Sequence, residues 1–445
     1  VFSSVPAFAK TCGDFRYKVL SNGTALITKY IGSAKELTIP EKLDGHRVTE
    51  IGKEAFLGYY DGDGSQLKSV TFNKSMRKIG TSAFEDSGLE KVTFNKGLKE
   101  IGKNAFTECF IKSVKLPKSL KHIKAGCFEC NELKEIDIPK SVKVLGAECF
   151  YGNNLKKVTL HNGIKRIGRD AFLSNNFKTI KLPSTLEVIY NGAFSCSGLT
   201  SLTLPKSLKS IEMKSTGVLE GFEPAFGENL KKISVAKGNK FFRVKSNVLY
   251  NKKMTKVIFY PPKAARKDYK TPKTVKTIGI RAFFMAKLKK LTITNNVKII
   301  KDYAFGEANI KSFELEYGLK SIGVGAFSDA EVSKKDWWTG EDMWKLYLPD
   351  SVKIISKGAF EKTNLVSVRL PSKLKEVKDK TFFGTYMSEI ELPPSVKKIG
   401  CASFGYYVGE CGVVGEIDKS FIIKGKVDSY AQKYAKKMGF RFKAV

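Results

Sequence analysis

The sequence predicts an α/β-type solenoid, mostly β with turns and short helical segments, in which 22-residue coils stack on a parallel β-sheet. Three observations carry this. An Ile-Gly-x-x-Ala-Phe ending recurs along the chain, with marker phenylalanines at 56, 84, 106, 128, 150, 172, 194, 226, 283, 305, 327, 360, 382 and 404, and nine of the thirteen intervals are 22 residues. A fixed period of this length means stacked supersecondary units, each too small to bury its own apolar side. Within each period an alternating Leu-x-x-Val-x-Leu run reads as a strand with one buried face. In seven coils a proline follows it directly (Pro117, Pro139, Pro183, Pro205, Pro349, Pro371 and Pro393). Proline cannot donate to a sheet ladder, so it ends the strand and opens a turn.

The coil from Phe84 to Phe106 shows the grammar. Leu89, Val92 and Phe94 form the strand; Leu98 and Ile101 form a second apolar pair; Gly102 and Ala105-Phe106 close the coil. Leu133, Ile136 and Ile138 repeat the strand, as do Leu199, Leu202 and Leu204, and Leu365, Val368 and Leu370. Stacked coils align these columns, and the Leu-x-x-Val-x-Leu strands are expected to form one long parallel sheet with about 4.8 Å between coils.

These units, L-x-x-V-x-L-P-x-S-(L/V)-K-x-I-G-x-x-A-F, resemble the BspA-like leucine-rich repeats (LRR) of bacterial and some protist surface proteins, over residues from about 34 to 404. The resemblance implies a leucine-rich-repeat right-handed superhelix and a role in attachment at a cell surface. It also implies capped ends. Residues 1–33 read as an N-terminal remnant and a hairpin turning at Asn22-Gly23. Residues 405–445 read as a strand-helix-strand cap, with Asp428 capping a helix to Met438 and Gly439 stopping it. Ala7-Phe8-Ala9 has the small-x-small form of a signal-peptidase site, which with the resemblance points to export. No apolar run is long enough to span a membrane.

The formal net charge is +34, with 68 lysines and 10 arginines. Such a field attracts anionic partners. Lysine, however, fills ordinary turn positions such as Lys118, Lys140 and Lys206, and arginine, the better bidentate reader of phosphate, is scarce. The composition therefore argues against specific nucleic-acid recognition. There are eight cysteines. Cys127 and Cys149 take the alanine slot before the marker and read as small, free, buried residues; one coil apart, they are within disulfide range, as are Cys109 and Cys130. Cys127-Phe-Glu-Cys130 has no second ligand pair, which argues against zinc.

Where the period breaks, loops on a rigid scaffold carry function. The first interval holds six extra residues within 59–66, including Tyr59, Tyr60 and an Asp61-x-Asp63-Gly64 turn that lacks the distal glutamate of a calcium loop. The interval from Phe327 to Phe360 holds eleven extra and contains all three tryptophans, Trp337, Trp338 and Trp344. Tryptophan is enriched at binding hot spots. Trp344 leads into the strand of Tyr347 and is expected to project onto the sheet face. The irregular unit at about 230–275 reads as a hairpin turning near Asn251-Lys252. The exposed strand positions form a stripe whose C-terminal part, with Tyr347, Arg369 and Glu391, suits protein contact.

No H-E-x-x-H, G-x-S-x-G or P-loop occurs, and His46, His122 and His161 lie in different coils. Convergent reactive groups are missing, so catalysis is not expected, and neither a cofactor nor a metal is implied. The reading is a secreted or surface-displayed, monomeric binding protein for a protein or glycan ligand on a host or microbial surface. Its candidate contacts are Trp337, Trp338, Trp344, Tyr347, Arg369, Tyr59 and Tyr60. Two alternatives remain open: lysine-driven binding of an acidic polysaccharide or cell-wall polyanion, and a structural spacer.

Overall fold

The computed structural model describes residues 9–58, 67–195, 197–213, 226–265, 268–332, 344–408 and 414–445. They pack as two units: residues up to Met213 together with 226–229 and 235–240, and residues 230–234 together with Phe241–Val445.

The N-terminal unit opens with the antiparallel strands Lys10–Cys12, Phe15–Val19 and Ala25–Tyr30. The turn between the last two falls at Asn22-Gly23, where Gly23 takes φ +75° and Asn22 Oδ1 accepts from the Thr24 amide at 3.1 Å. From Ala25–Tyr30 a parallel ladder runs through His46–Ile51, Lys78–Ile79, Glu100–Ile101, His122–Ile123, Val144–Leu145, Arg166–Ile167, Val188–Tyr190 and Ser210–Glu212. Its register is set by the period: Glu100 lies opposite His122, and Ile101 opposite Ile123.

The continuous sheet is therefore made by the second apolar pair, not by the Leu-x-x-Val-x-Leu strands expected to form it. Those strands pair in short ladders, Glu36–Thr38 with Ser69–Thr71 and Lys91–Thr93, and Glu135–Ile138 with Lys157–Leu160. In the coils that carry the glycine of Ile-Gly, the backbones of neighbouring coils come close on this side. A Cβ on Gly102 would lie 2.4 Å from the Gly80 carbonyl oxygen, so without one the coils close up and the Gly102 amide bonds the Ile79 carbonyl at 2.9 Å.

A third side of each coil carries the marker. The Phe84, Phe106, Phe128 and Phe150 amides each donate to the carbonyl of the residue before the next marker, at 2.9–3.1 Å. The rings stack face to face, from Tyr30 through Phe56, Phe84 and Phe106 to Phe194, with centroids 4.5–6.0 Å apart. Left-handed residues recur on both sides of the marker, as Asn104 (φ 54°) and Glu108 (φ 54°) do around Phe106. Two sharp corners per coil are what allow three sides to pair at once.

Side-chain ladders complete the coil. Asn131, Asn153 and Asn175 stand three residues after their markers and are buried. Asn153 Oδ1 accepts from the Leu133 amide (3.1 Å), while its Nδ2 donates to the Phe128 carbonyl (2.8 Å) and the Tyr151 carbonyl (3.2 Å). Asn131 and Asn175 repeat this on Ile111 with Phe106 and on Leu155 with Phe150. Cys109 holds the same position and donates its thiol to the Phe84 carbonyl. The serine after the proline bonds back one coil, Ser119 to the Leu98 carbonyl and Ser207 to that of Leu186, both at 2.6 Å.

The C-terminal unit begins with the irregular segment. It is a three-stranded meander, Phe242–Lys245, Val248–Asn251 and Lys256–Phe259, rather than one hairpin. The turn missed by the sequence reading is Ser246-Asn247, both at positive φ as a two-residue hairpin turn requires. At the second turn, Asn251 Oδ1 accepts from the Thr255 and Lys256 amides at 2.8 and 2.9 Å. The ladder then continues through Thr277–Ile278, Ile299–Ile300, Ser321–Ile322 and Ile354–Ile355. Tyr260 starts the ring stack of this unit, through Phe283, Phe305, Phe327, Phe360 and Phe382. Where the first unit has asparagine, these coils have Ala286, Ala308 and Ala330, and the backbone takes over: Asn309 N donates to Ala286 O and Lys311 N to Leu288 O, each at 2.9 Å.

The C-terminal end pairs Glu389–Glu391 with Ile422–Gly425 and the latter with Arg441–Ala444, all parallel. The helix Tyr430–Met438 lies against these last strands and stops at Gly439 (φ 77°). Its N-cap is Ser429, not Asp428, and makes no side-chain cap hydrogen bond. Asp428 instead takes a left-handed conformation (φ 60°), and its own amide bonds the Gln432 side chain at 2.7 Å.

Candidate functional site

Reactive groups do not converge among the described residues. No group of three or more His, Cys, Asp or Glu side chains there is placed to hold a metal ion. The Cys12, Cys109, Cys127, Cys130, Cys149 and Cys401 thiols are free. Burial pushes the Cys109 thiol up to about 11 and those of Cys127 and Cys149 well above the ordinary thiol value. Such thiols are poor nucleophiles. His46 meets the Gly23 carbonyl at 2.9 Å, a structural contact of the first turn.

The candidate contacts fall into three groups. Tyr59, Tyr60, the Asp61–Gly64 turn, Trp337 and Trp338 lie outside the described residues. Trp344 is buried, 4 % exposed, and its indole packs in the core against Phe313, Phe327 and Phe360 with centroids 5.8–6.0 Å apart. The expectation that it projects onto the sheet face is thus corrected. In the strand Trp344–Tyr347 the alternate residues Trp344 and Leu346 point inward, and an aromatic body of this size is stable there. Tyr347 and Arg369 do reach the surface, in register across adjacent strands, with Tyr347 70 % exposed. Arg369 is held by Asp350 at 3.2 Å, and that ion pair, after the Ser372 amide, keeps the Asp350 carboxyl below its ordinary value. Two further exposed tyrosines of this unit, Tyr317 (80 %) and Tyr386 (75 %), escaped the sequence reading. Tyr317 stands at the turn position that lysine holds in other coils, and that substitution was the available signal. One member of the polar stripe, Thr292, is buried beneath a hydrogen bond to Glu314 (3.0 Å).

A second feature lies on the strand face of the N-terminal unit. A groove of about 960 Å3 crosses the strands Lys91–Thr93, Glu135–Ile138 and Lys157–Leu160 and the segment 113–116 between the first two. Val92, Val114 and Ile136 underlie it, and Lys91, Lys115, Lys118, Lys140 and Lys157 line it. His161 Nε2 meets Asp137 Oδ1 at 2.7 Å at one end.

Comparison with known proteins rests on this geometry. The sequence matches the family described as "BspA type Leucine rich repeat region (6 copies)" over residues 49–176, 133–253, 252–337 and 331–408. The chain belongs to this family. Solved structures similar to this BspA-type chain include a leucine rich cell surface protein from Faecalibacterium prausnitzii, at 21 % identity and a TM-score of 0.62 over 90 % of this chain and 97 % of that one. The pneumococcal vaccine antigen PcpA is also similar, at 22 % identity and a TM-score of 0.57 over 99 % of each chain. At these identities the likeness is one of fold. No curated protein matches the chain. No helix among the described residues is long and apolar enough to cross a membrane.

Proposed function

We propose that this BspA-type chain is an exported binding protein that attaches a surface to protein partners of a host or of other microbes. Recognition is its whole activity in this reading, with no catalysis and no cofactor. The observation that carries it is the pairing of Tyr347 with Arg369 on the exposed strand face of the C-terminal unit. An exposed tyrosine offers a large contact area at low entropic cost, and a guanidinium beside it offers a directional donor. A strand face of this kind offers an extended surface rather than an enclosed pocket, which suits a macromolecule better than a small ligand. Membership of a family that includes surface proteins supports the location.

The test is binding of the purified protein to immobilised matrix proteins at low and at physiological salt. Saturable binding that persists at physiological salt and is lost in Tyr347→Ala/Arg369→Ala is expected. The pair Trp337→Ala/Trp338→Ala is expected to weaken the same interaction. Binding that vanishes on adding salt and ignores both double variants would defeat the reading.

A further inference from the structure

We propose that the groove on the N-terminal unit is a binding site for a linear acidic polysaccharide, separate from the protein-contact face proposed above. The first support is where free positive charge lies. Some lysines of these and adjoining coils are paired, Lys68 and Lys112 with Glu90, Lys124 with Glu100, and Lys165 and Lys209 with Glu187, while others outside the groove, such as Lys99, Lys121 and Lys143, are not paired among the described residues. Lys91, Lys115, Lys118, Lys140 and Lys157 line the groove and form no ion pair among the described residues. Against them the lining sets two carboxylates, Glu135 and Asp137, and Asp137 is already engaged by His161. The groove therefore gathers five lysines against two carboxylates, one of them already engaged.

The second support is direction. Coils rise about 4.8 Å each, so Lys91 and Lys157, three coils apart, are separated by about 14 Å along the stack. A chain laid across the strands meets at least one unpaired lysine on each of four successive coils: Lys91, then Lys115 and Lys118, then Lys140, then Lys157. A compact anion has no use for such a row, and a linear polyanion does.

The third support is the rest of the lining, which separates a glycan from a nucleic acid. No Phe, Tyr or Trp lines the groove, and its one imidazole, His161, is engaged by Asp137, so a run of bases finds no stacking platform. No arginine lines it, so phosphate finds no bidentate fork. The hydroxyls of Thr93, Ser113, Ser141 and Thr159 and the carboxylate of Glu135 face the same space. They accept and donate hydrogen bonds to the hydroxyls of a sugar chain whose charges are sparse.

The experiment uses the full chain. Binding is measured by biolayer interferometry to an immobilised sulfated octasaccharide, a uronate-only octasaccharide and a single-stranded oligonucleotide of matched charge. Lys115→Glu/Lys118→Glu/Lys140→Glu is compared with Lys99→Glu/Lys121→Glu/Lys143→Glu, which makes the same charge change in the same stretch of coils away from the groove. The groove variant is expected to lose about tenfold or more in glycan affinity, and the control about threefold or less, since only contacting charges release counterions. A Lys→Gln version of the groove variant, with its melting curve matched to the parent, carries the test if charge reversal disturbs folding. Equal losses in both variants, no binding to either glycan at low salt, or oligonucleotide binding as tight as glycan binding would overturn the proposal. Tyr347→Ala/Arg369→Ala is expected to leave glycan binding unchanged, so failure of one site does not pass for failure of the other.

Discussion

Replacing Asn153 by alanine tests the side-chain ladder of the N-terminal unit most directly. The substitution removes the partner of the Leu133 amide at 3.1 Å and of the Phe128 carbonyl at 2.8 Å. The Tyr151 carbonyl keeps the Cys130 amide at 2.8 Å and is not orphaned. Asn153 is 4 % exposed, and Leu133 and Phe128 are fully buried, so water does not replace the lost groups. Each buried donor or acceptor left without a partner costs about 1–3 kcal/mol, so the pair costs about 2–6 kcal/mol. Taking about 3 kcal/mol as the working value, the local opening equilibrium shifts by about a hundredfold. Native-state hydrogen exchange reads this at one site: the Leu133 amide should lose about two orders of magnitude of protection. Asn153→Asp should be worse near neutral pH, because it places a second anionic oxygen against the Phe128 carbonyl, and should recover in part on acidification. If Asn153→Ala changes stability by less than about 0.5 kcal/mol and the Leu133 amide stays protected, the ladder is not what holds these coils together.

Other outcomes follow from the same geometry. Gly102→Ala forces a methyl to 2.4 Å from the Gly80 carbonyl oxygen, a backbone atom that cannot swing away, and should cost about 1–3 kcal/mol by denaturant unfolding, whereas the same change at the open turn of Gly45 should be governed by its positive φ alone. A maleimide added to the native protein should modify the exposed Cys401 and leave Cys127 and Cys149 untouched until denaturant is present, as read by peptide mass spectrometry. At the N-terminal hairpin, the Tyr17 hydroxyl and then the Cys12 thiol bond the Asp44 carboxyl and hold it below its ordinary value, and Tyr17 is pushed up to about 12. The Asp44 contribution is complete above the ordinary carboxylate value and disappears as pH falls through the lowered one, so exchange protection of strands Phe15–Val19 and Ala25–Tyr30 should drop below about pH 4 in the parent and lose that dependence in Asp44→Asn.

The sequence reading and the structure agree where one residue type answers one physical demand. A phenylalanine every 22 residues must stack, so the marker column was legible, and so was Gly23 at the first turn. Tyr30 and Tyr260 extend the ring stacks ahead of Phe56 and Phe283, which the marker spacing does not reveal because neither stands in an Ile-Gly-x-x-Ala-Phe ending. The continuous ladder was assigned to the wrong side of the coil. Alternation shows which residues are buried but not which side of the coil pairs as a continuous ladder. Asn131, Asn153 and Asn175 carry no signal in the sequence, since a polar side chain reads as exposed until its partners are known. Trp344 failed for the opposite reason: an aromatic after a polar insertion reads as a surface group, and only the Phe313, Phe327 and Phe360 rings show that it fills the core. At the candidate site, Tyr347 and Arg369 were legible because strand alternation fixes which face they share. The lysine groove was not, because its five lysines are far apart in the chain and look like every other lysine until the fold brings them to one groove.

The asparagine ladder points one way. Asn131 serves Ile111 and Phe106, Asn153 serves Leu133 and Phe128, and Asn175 serves Leu155 and Phe150, so every amide reaches back to the coil made before it. During synthesis, then, a coil leaving the ribosome still lacks the groups that finish it, and these arrive 22 residues later. At about 5–20 residues per second that is a delay of about 1–4 s per coil, during which the newest turn is held only by the one behind. Completion travels up the growing chain one coil in arrears until Asn175. Beyond it, the coils of Ala286 and Ala308 make the corresponding bonds through backbone, and Asn364 reaches back to Val332 in the coil of Ala330.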